Sequence, residues 1–250
     1  MVMRPIGRDD PLKRARVSIG KGEFREAATL LAELRDSLCD SPEWLLLMAM
    51  ASWRLGNFAE SFDASQRALS AYRKRGDVDG EMRAQNVAAA GAFALGRLDD
   101  AEVGFERALY LARQLSDKLQ MAQCANNLGN VAYYRDQQVE ALRRYIQAAN
   151  LFEQLGFLRG IAEAWHNAGV VLRETNDLEA AREASDKAVE AAERLSEPRV
   201  LGWALGGSGE TDVLEGDIRL GQARTERAFH IVLEQEDRIT EVECLRVMSM

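Results

Sequence analysis

The sequence predicts an all-α fold, an α-solenoid of stacked antiparallel helix pairs, and three observations support this fold class. An alanine recurs at a fixed spacing of forty residues, and a period of this length is typical of repeat arrays. Apolar residues between the turns follow the i, i+3, i+4, i+7 spacing of amphipathic helices. Strand patterns are absent, and only four prolines interrupt the 250 residues. The recurring alanines are Ala68, Ala108, Ala148, Ala188 and Ala228.

Three further columns of the forty-residue register predict where helices touch and where they end. Two columns contain small residues, which predicts close approach of neighbouring backbones. They are Ser61, Ala101, Ala141, Ala181 and Gly221, and Ala49, Ala89, Gly129, Gly169 and Gly209. The third column holds residues that tolerate a left-handed backbone, so it predicts the turn inside each helix pair. Its members are Gly56, Gly96, Asp136, Asn176 and Gly216.

This register divides the chain into units of a helix A, a tight turn, a helix B and a looser connection. Each helix is expected to have about 16 residues, or roughly 24 Å of length. We expect an N-terminal arm over 1–9 and a single solenoid over 10–250. The predicted units are 10–39, 40–77, 78–117, 118–157, 158–197 and 198–237, followed by a terminal helix over 238–250.

Short motifs inside the units resemble the tetratricopeptide repeat (TPR) family over roughly residues 10–250. The matching pieces are Trp165-x2-Ala168-Gly169, Leu128-Gly129, Ala101-x3-Phe105 and Ala141-x3-Tyr145. The closing proline is missing and the period exceeds the usual length of about 34 residues. Both departures resemble the long-repeat branch of the family, as does the run Cys124–Asn130. The resemblance implies a right-handed superhelix in which the helices A line a concave groove.

Composition excludes several classes of partner. The net charge is −8 with both signs interspersed, which argues against the basic face that nucleic-acid binding needs. No run of about 18 apolar residues exists to span a membrane, and the N-terminus lacks the apolar segment of a secretory signal. The three cysteines form no CxxC motif, and an odd, widely spaced set fits a reducing compartment. We therefore expect a cytoplasmic protein.

Signals for catalysis, metal or cofactor binding are absent from the sequence. Neither His166 nor His230 has a metal-ligating neighbour at helical or loop spacing, and no nucleophile elbow, P-loop or paired catalytic carboxylate occurs. A Cys124–His166 pair is conceivable on successive helices A. Cys124 shares its column with Ala84 and Ala164, however, so we expect it to be small and buried. The sequence predicts no enzyme, metal or cofactor.

The resemblance places a stripe of helix A in the groove, at i, i+3, i+7 and i+10 of each unit. Amide and aromatic side chains dominate the middle of this stripe. Aromatic side chains offer flat apolar area with a polar tip. The candidate groove residues are Trp53, Arg83, Asn86, Phe93, Gln123, Asn126, Asn130, Tyr133, Tyr134, Glu163, His166, Arg173, Trp203, Gly206 and Glu210.

Asparagines in the stripe suit recognition of a peptide backbone. A carboxamide donates and accepts at once, so it can pair with a peptide of any sequence. We expect Asn126 and Asn130 to bind a partner, although a solvated groove wall is the alternative. Asn127 and Asn167 are more consistent with bridging neighbouring units, because a buried amide needs hydrogen-bonding partners.

Arginines in the stripe have two interpretations of equal weight. Arg83 and Arg173 could hold carboxylates of a partner through the bidentate guanidinium fork. Glu163 and Glu210 alternate with them along the stripe, which favours a mutual salt-bridge lattice instead.

The sixth helix A is rich in glycine at Gly202, Gly206, Gly207 and Gly209, and each glycine costs about 1 kcal/mol in a helix interior. One hypothesis is that Gly206 leaves a pocket beside Trp203 for a bulky side chain of the ligand. A local hinge is the second hypothesis, and close helix packing is the alternative to both.

The leading functional hypothesis is a non-enzymatic module that holds a peptide segment of a partner protein in its groove. The alternatives are a regulatory domain that senses a small ligand or signal peptide, and a self-assembling scaffold. The C-terminal helix is apolar on more than one side, at Val242 and Leu245 among others. Either the natural chain continues or this end packs on another copy, so a homodimer through this helix is possible.

Overall fold

The computed structural model describes residues 11–234 and 238–250, and every regular element in those ranges is an α-helix. The helices are α1 (Pro11–Gly20), α2 (Phe24–Ala32), α3 (Arg35–Leu38), α4 (Pro42–Arg54), α5 (Phe58–Arg75), α6 (Val78–Ala94), α7 (Leu98–Leu115), α8 (Lys118–Tyr134), α9 (Gln138–Leu155), α10 (Leu158–Glu174), α11 (Leu178–Leu195), α12 (Pro198–Glu215), α13 (Ile218–Glu234) and α14 (Arg238–Met248).

Helix bounds repeat with the predicted period. The helices A of three successive pairs, α6, α8 and α10, begin and end at positions forty residues apart, and so do their partners α7, α9 and α11. Helices A have 17 residues and helices B have 18 in these pairs, slightly more than expected. The predicted class, a solenoid of antiparallel helix pairs, is confirmed.

Left-handed residues end the helices, as the turn column predicted. Its members have φ angles between +58° and +94°, a region that favours glycine, asparagine and aspartate. A second left-handed set ends the helices B and was not anticipated. It consists of Gly76, Ser116, Gly156 and Ser196. Two of these are serines, which do not stand out in the sequence as residues suited to a positive φ.

Close packing inside each pair occurs at the small columns. Ser61 donates a hydrogen bond of 2.8 Å to the carbonyl oxygen of Ala49. A Cβ atom added to Gly129 would lie 2.5 Å from the Tyr145 ring. A Cβ atom on Gly209 would lie 2.3 Å from Oγ1 of Thr225. The small residues therefore permit the helix crossings that the columns predicted.

The chain divides into two compact units, Met1–Ser116 and Asp117–Met250. The core of the first is built around Leu31, Trp44 and Tyr72 and joins α1 and α2 to α4, α5 and α6. The core of the second runs from α8 to α12. A smaller cluster of Leu205, Ala228 and Cys244 joins α12, α13 and α14.

Differences from the expected organisation lie at the N-terminal end. The helices of the first pair, α1 and α2, have only 10 and 9 residues, and the short α3 before α4 was not predicted. The predicted arm over 1–9 and the connection at 235–237 fall outside the described residues. A single solenoid over 10–250 stays a prediction.

Candidate binding face on the helices A

The predicted groove residues fall on both compact units. Trp53, Arg83, Asn86 and Phe93 belong to the first unit, and the other eleven belong to the second. In the second unit, several of these residues make contacts between successive helices A.

Trp53 is the main aromatic residue of the first set. Its ring contacts Phe58 edge-on, with centroids 6.3 Å apart, and the Arg54 guanidinium lies 5.1 Å from it. The indole Nε1 is buried and has no hydrogen-bond partner among the described residues. Arg83 is exposed and pairs with Asp79 one helical turn away, at 3.1 Å.

Three asparagines form a hydrogen-bonded group that we call the amide cluster: Asn126, Asn130 and Asn167. Nδ2 of Asn167 on α10 donates to Oδ1 of Asn126 at 3.3 Å and, more weakly, to Oδ1 of Asn130 at 3.5 Å on α8. The Tyr145 hydroxyl donates to Oδ1 of Asn130 at 2.9 Å. Burial raises the pKa of Tyr145, so its hydroxyl remains a donor.

The amide cluster turns its oxygens toward the scaffold. The O/N assignment follows from these hydrogen bonds, as it must for carboxamides. The Nδ2 groups of Asn126 and Asn130 have no partner within residues 11–234 and 238–250. Asn167 bridges neighbouring helix pairs, as predicted. Binding of a partner by Asn126 and Asn130 stays a prediction.

Tyrosines extend this face at the end of α8. The rings of Tyr133 and Tyr134 are perpendicular, with centroids 5.9 Å apart. The Tyr133 hydroxyl donates to Glu174 of α10 at 2.5 Å, and burial together with Glu174 raises the pKa of Tyr133 to about 12. Tyr134 is 68% exposed. Gln123, one turn before the cluster, is half-buried.

An aromatic pair joins α10 to α12. The rings of His166 and Trp203 lie 4.8 Å apart at an interplanar angle of 62°. The imidazole fits over Gly207, where an added Cβ atom would come within 3.0 Å of it. Burial, with a smaller contribution from Arg173, lowers the pKa of His166 to about 3. His166 is therefore neutral at physiological pH.

The side chain of Arg173 bonds α10 to α12. It is only 8% exposed and pairs with Glu210 at 3.3 Å. Its Nη1 donates to the carbonyl oxygen of Gly207 at 3.1 Å and to Oγ1 of Thr211 at 3.3 Å. Glu210 also pairs with Arg246 of α14 at 2.6 Å. For Arg173 the structure therefore favours the salt-bridge lattice.

Glu163 takes part in a similar lattice at the start of α10. It accepts a hydrogen bond of 3.1 Å from Arg159, which also donates to Glu197 at 2.8 Å. These carboxylates join α10 to the beginning of α12, so Glu163 already has a cationic partner within the chain.

Gly206 does not line an open pocket. It is buried, and a Cβ atom added to it would lie 3.5 Å from Sγ of Cys244 on α14. The space predicted beside Trp203 is occupied at this position by α14, because the last helix packs on α12. Gly202, Gly207 and Gly209 permit close packing, since a Cβ atom added to any of them would lie 3.0 Å or less from a neighbouring atom.

A buried polar group inside the sixth helix pair escaped the sequence reasoning. Asp212 on α12 is 1% exposed and pairs with Arg224 of α13 at 3.0 Å. Arg224 also donates to Ser208 at 2.5 Å. Burial raises the pKa of Asp212, although Arg224 opposes this shift. One feature of the sequence did point to this site. Asp212 occupies the repeat position at which α10, forty residues earlier, has the buried Leu172.

Metal sites and membrane-spanning helices are not found in residues 11–234 and 238–250. There, no group of three or more His, Cys, Asp or Glu side chains is arranged to hold a metal ion. None of the helices in the described part of the chain is both long and apolar enough to cross a membrane.

Stacked helix pairs with small residues at their crossings define an α-solenoid repeat protein. Family models described as tetratricopeptide repeat match residues 80–154 and 162–194. The chain therefore contains tetratricopeptide repeats over these residues, as its motifs predicted. No curated protein sequence matches it.

Solved structures with this fold cover nearly all of the chain. BtubC (BKLC) from P. vanneervenii is 20% identical, with a TM-score of 0.67 over 92% of this chain and 94% of that one. The Rap conjugation gene regulator of plasmid pLS20, in complex with the Phr* peptide, is 18% identical, with a TM-score of 0.67 over 92% and 74%. The quorum sensor NprR from B. thuringiensis is 13% identical, with a TM-score of 0.74 over 94% and 68%. At these identities the likeness establishes the fold alone.

Proposed function

We propose that this protein is a non-enzymatic interaction module that binds an extended peptide segment of a partner across the amide cluster. The observation that carries the proposal is the orientation of Asn126 and Asn130. Their oxygens are held by Asn167 and Tyr145, which leaves two Nδ2 donors on a half-buried face. Fixed donors lose little conformational entropy on binding, so they favour association.

The spacing of these donors suits a peptide backbone. Asn126 and Asn130 are one helical turn apart, which is about 6 Å along α8. Carbonyl groups on the same side of an extended chain repeat every two residues, or about 6.6 Å. Two carbonyls of one peptide therefore match the two donors. Tyr134, one helical turn after Asn130 on α8, and Trp203, which packs on His166 of α10, add aromatic surface.

The comparison structures support a peptide as the ligand, since the Rap regulator of pLS20 was solved with the Phr* peptide. That binding belongs to the Rap protein, and it comes to this chain only as part of the proposal. We propose a cytoplasmic setting as well, because Cys39, Cys124 and Cys244 are all free thiols and this state persists in reducing compartments.

A sensory role is the second candidate. His166 and Trp203 stack across α10 and α12, and Arg173 ties the same two helices. A ligand that inserts at this junction would alter the docking of α12 on α10, which is how a bound signal could be transmitted. The similarity to the quorum sensor NprR is consistent with this alternative.

Selection from a random peptide display library on the purified chain tests the main proposal. We expect bound peptides, measured by fluorescence anisotropy, that lose about tenfold or more in affinity to the Asn126→Ala/Asn130→Ala double variant. Two hydrogen bonds of about 1 kcal/mol each account for that change.

Asn150→Ala is the matched control, since it removes an exposed amide from the helix B of the same pair. Its affinity should equal that of the wild type. Equal affinity of the double variant, with unchanged helicity, would refute peptide binding at the amide cluster. A shift in hydrogen exchange of α12 on peptide binding would favour the sensory role over simple binding.

A further inference from the structure

The last helix, α14, carries apolar side chains on a face that water reaches. Val242 is 65% exposed and Leu245 is 48% exposed. Leu233, near the end of α13, is 43% exposed. Cys244 and Val247, on the opposite face of α14, are buried. One apolar face of α14 thus packs on the solenoid, and a second apolar face is exposed to solvent.

The register shows what normally covers this second face. At the position of Val242 the preceding helices A have the buried Ala122, Ala162 and Gly202. An added Cβ atom at Gly202 would meet Val232 and Ile231 of α13, the helix B of the same pair. Val242 therefore faces the position that a helix B would occupy next to α14.

Leu233 lies beside the same position. Forty residues earlier Glu193 pairs with Arg227 at 3.1 Å, which is a contact between the helices B of two successive pairs. By this register Leu233 is directed toward the next helix B after α13. No described helix occupies that place, which we call the open B slot, bounded by Val242 and Leu245 of α14 and by Leu233 of α13.

We propose that the open B slot is filled by α14 of a second copy of this chain. The two helices run parallel about a twofold axis along their length, and each lies in the slot of the other. This symmetry extends the two solenoids in opposite directions from the shared layer, so that the protomers do not collide. The interface is closed and isologous.

The pattern of α14 matches a parallel pair of helices. Val242 and Leu245 stand at the a and d positions of a heptad, and a β-branched residue at a with leucine at d favours two strands. Glu241 then occupies g and Arg246 occupies e. In a parallel pair g of one helix meets e of the other five residues later, so Glu241 faces Arg246 of the second copy on both sides. An antiparallel pair would instead set like charges together.

The Arg246 guanidinium is already placed at the rim of this face. It pairs with Glu210 at 2.6 Å and its side chain remains 54% exposed. Two turns of helix bury less than the roughly 800 Å² per partner of a standard interface. Contact of the second α14 with Leu233 enlarges the interface, and we expect a reversible dimer at micromolar concentrations.

Sedimentation velocity of the full chain over a concentration series tests the dimer. Val242→Glu/Leu245→Glu should weaken association by at least about tenfold, because four carboxylates would enter the apolar seam. Val139→Glu is the matched control, since Val139 on α9 is 86% exposed and should not alter the dimer. Circular dichroism checks that helicity is unchanged.

Charge reversal tests the parallel register. Glu241→Arg alone and Arg246→Glu alone should each weaken self-association by about tenfold through two like-charge contacts. Mixing the two variants should restore wild-type association, because each reversed charge then meets its complement. A wild-type chain that stays monomeric to about 100 µM would overturn the proposal, and so would a mixture no tighter than the single variants.

Discussion

The four glycines of α12 have different surroundings, although they look alike in the sequence. An added Cβ atom at Gly206 would make ordinary contacts, the shortest being 3.5 Å to Cys244. At Gly209 the same atom would lie 2.8 Å from the backbone oxygen of Gly221. Of these two glycines, Gly209 is required by packing and Gly206 is not. Both lower the stability of α12 through the backbone entropy that glycine loses on folding.

Gly206→Ala should therefore stabilise the protein by about 0.5–1 kcal/mol, the helix-propensity difference between glycine and alanine. Gly209→Ala should destabilise it by about 2 kcal/mol, because the backbones of α12 and α13 must move apart. Urea unfolding followed by circular dichroism measures both. Destabilisation by both substitutions to the same degree would contradict this distinction.

The imidazole of His166 makes stability depend on pH. Its pKa is about 3 in the folded protein and 6.5 without the fold. Below about pH 6.5 the imidazole therefore binds a proton in the unfolded chain but stays neutral in the folded chain. The stabilising contribution is complete above pH 6.5 and is lost progressively as the pH falls toward 3.

We expect His166 to cost about 1–2 kcal/mol of stability between pH 7 and pH 5. The His166→Gln variant should lose less stability than the wild type over the same interval, because glutamine does not titrate. Urea unfolding at the two pH values supplies the comparison. Parallel pH dependence in both proteins would show that His166 is accessible to protons in the fold.

Sequence reasoning at the residue scale succeeded where a column repeated and failed where a single side chain departed from it. Asn167 sits beside a small column, which made its bridging role predictable. Arg173 follows the same spacing as Tyr133, but its long side chain reaches Thr211 of the next helix pair. Spacing along one helix cannot show that reach, because the partner lies 38 residues away.

Among the helices, α12 is joined to α10 by polar contacts. Arg173 bonds to Gly207, Thr211 and Glu210 of α12. An arginine that is almost wholly buried and bonded to three residues of the next helix A holds its neighbours in one geometry, since removal leaves polar groups without partners.

Arg173→Met should destabilise the protein by about 2 kcal/mol and speed hydrogen exchange in α12 and α13. Glu210 keeps Arg246 as a partner, which limits the loss. Arg83→Met is the control, because Arg83 forms an exposed pair with Asp79 within one helix, worth less than about 0.5 kcal/mol. Unchanged exchange in α12 and α13 would mean that apolar packing alone docks this pair.

Element bounds were predictable because turns and small residues share one period. The glycine, aspartate and asparagine turns within pairs are recognisable from their side chains. Ser116 and Ser196 are not, since serine occurs in many conformations. α3 also escaped prediction, because the first pair is shorter than the rest and lies outside the forty-residue register.

For the whole molecule, the apolar clusters described fall within the two compact units. The main cluster of the second unit runs from Leu119 to Ala204 and the smaller one lies between Val189 and Cys244. A repeat array is stabilised mainly by contacts between neighbouring elements, so the second unit contains its own core.

A fragment over 117–250 should therefore fold alone, with the same helicity per residue as the full chain and a cooperative thermal transition. A fragment over 138–250 is the control, because it removes α8 and exposes the face of α9 that α8 covers. Its helicity per residue should be lower. A disordered 117–250 fragment would show that the second unit depends on the first.

Identical helix bounds at forty-residue intervals also have a genetic consequence. Unequal recombination between the gene segments for any two matching positions, such as 158 and 198, would delete or duplicate one whole helix pair. Each new junction would join a left-handed turn to a normal helix start, and the alanine column would keep its register. Array length can thus vary in steps of one pair, although a deletion between 158 and 198 would remove the bond of Arg173 to Thr211.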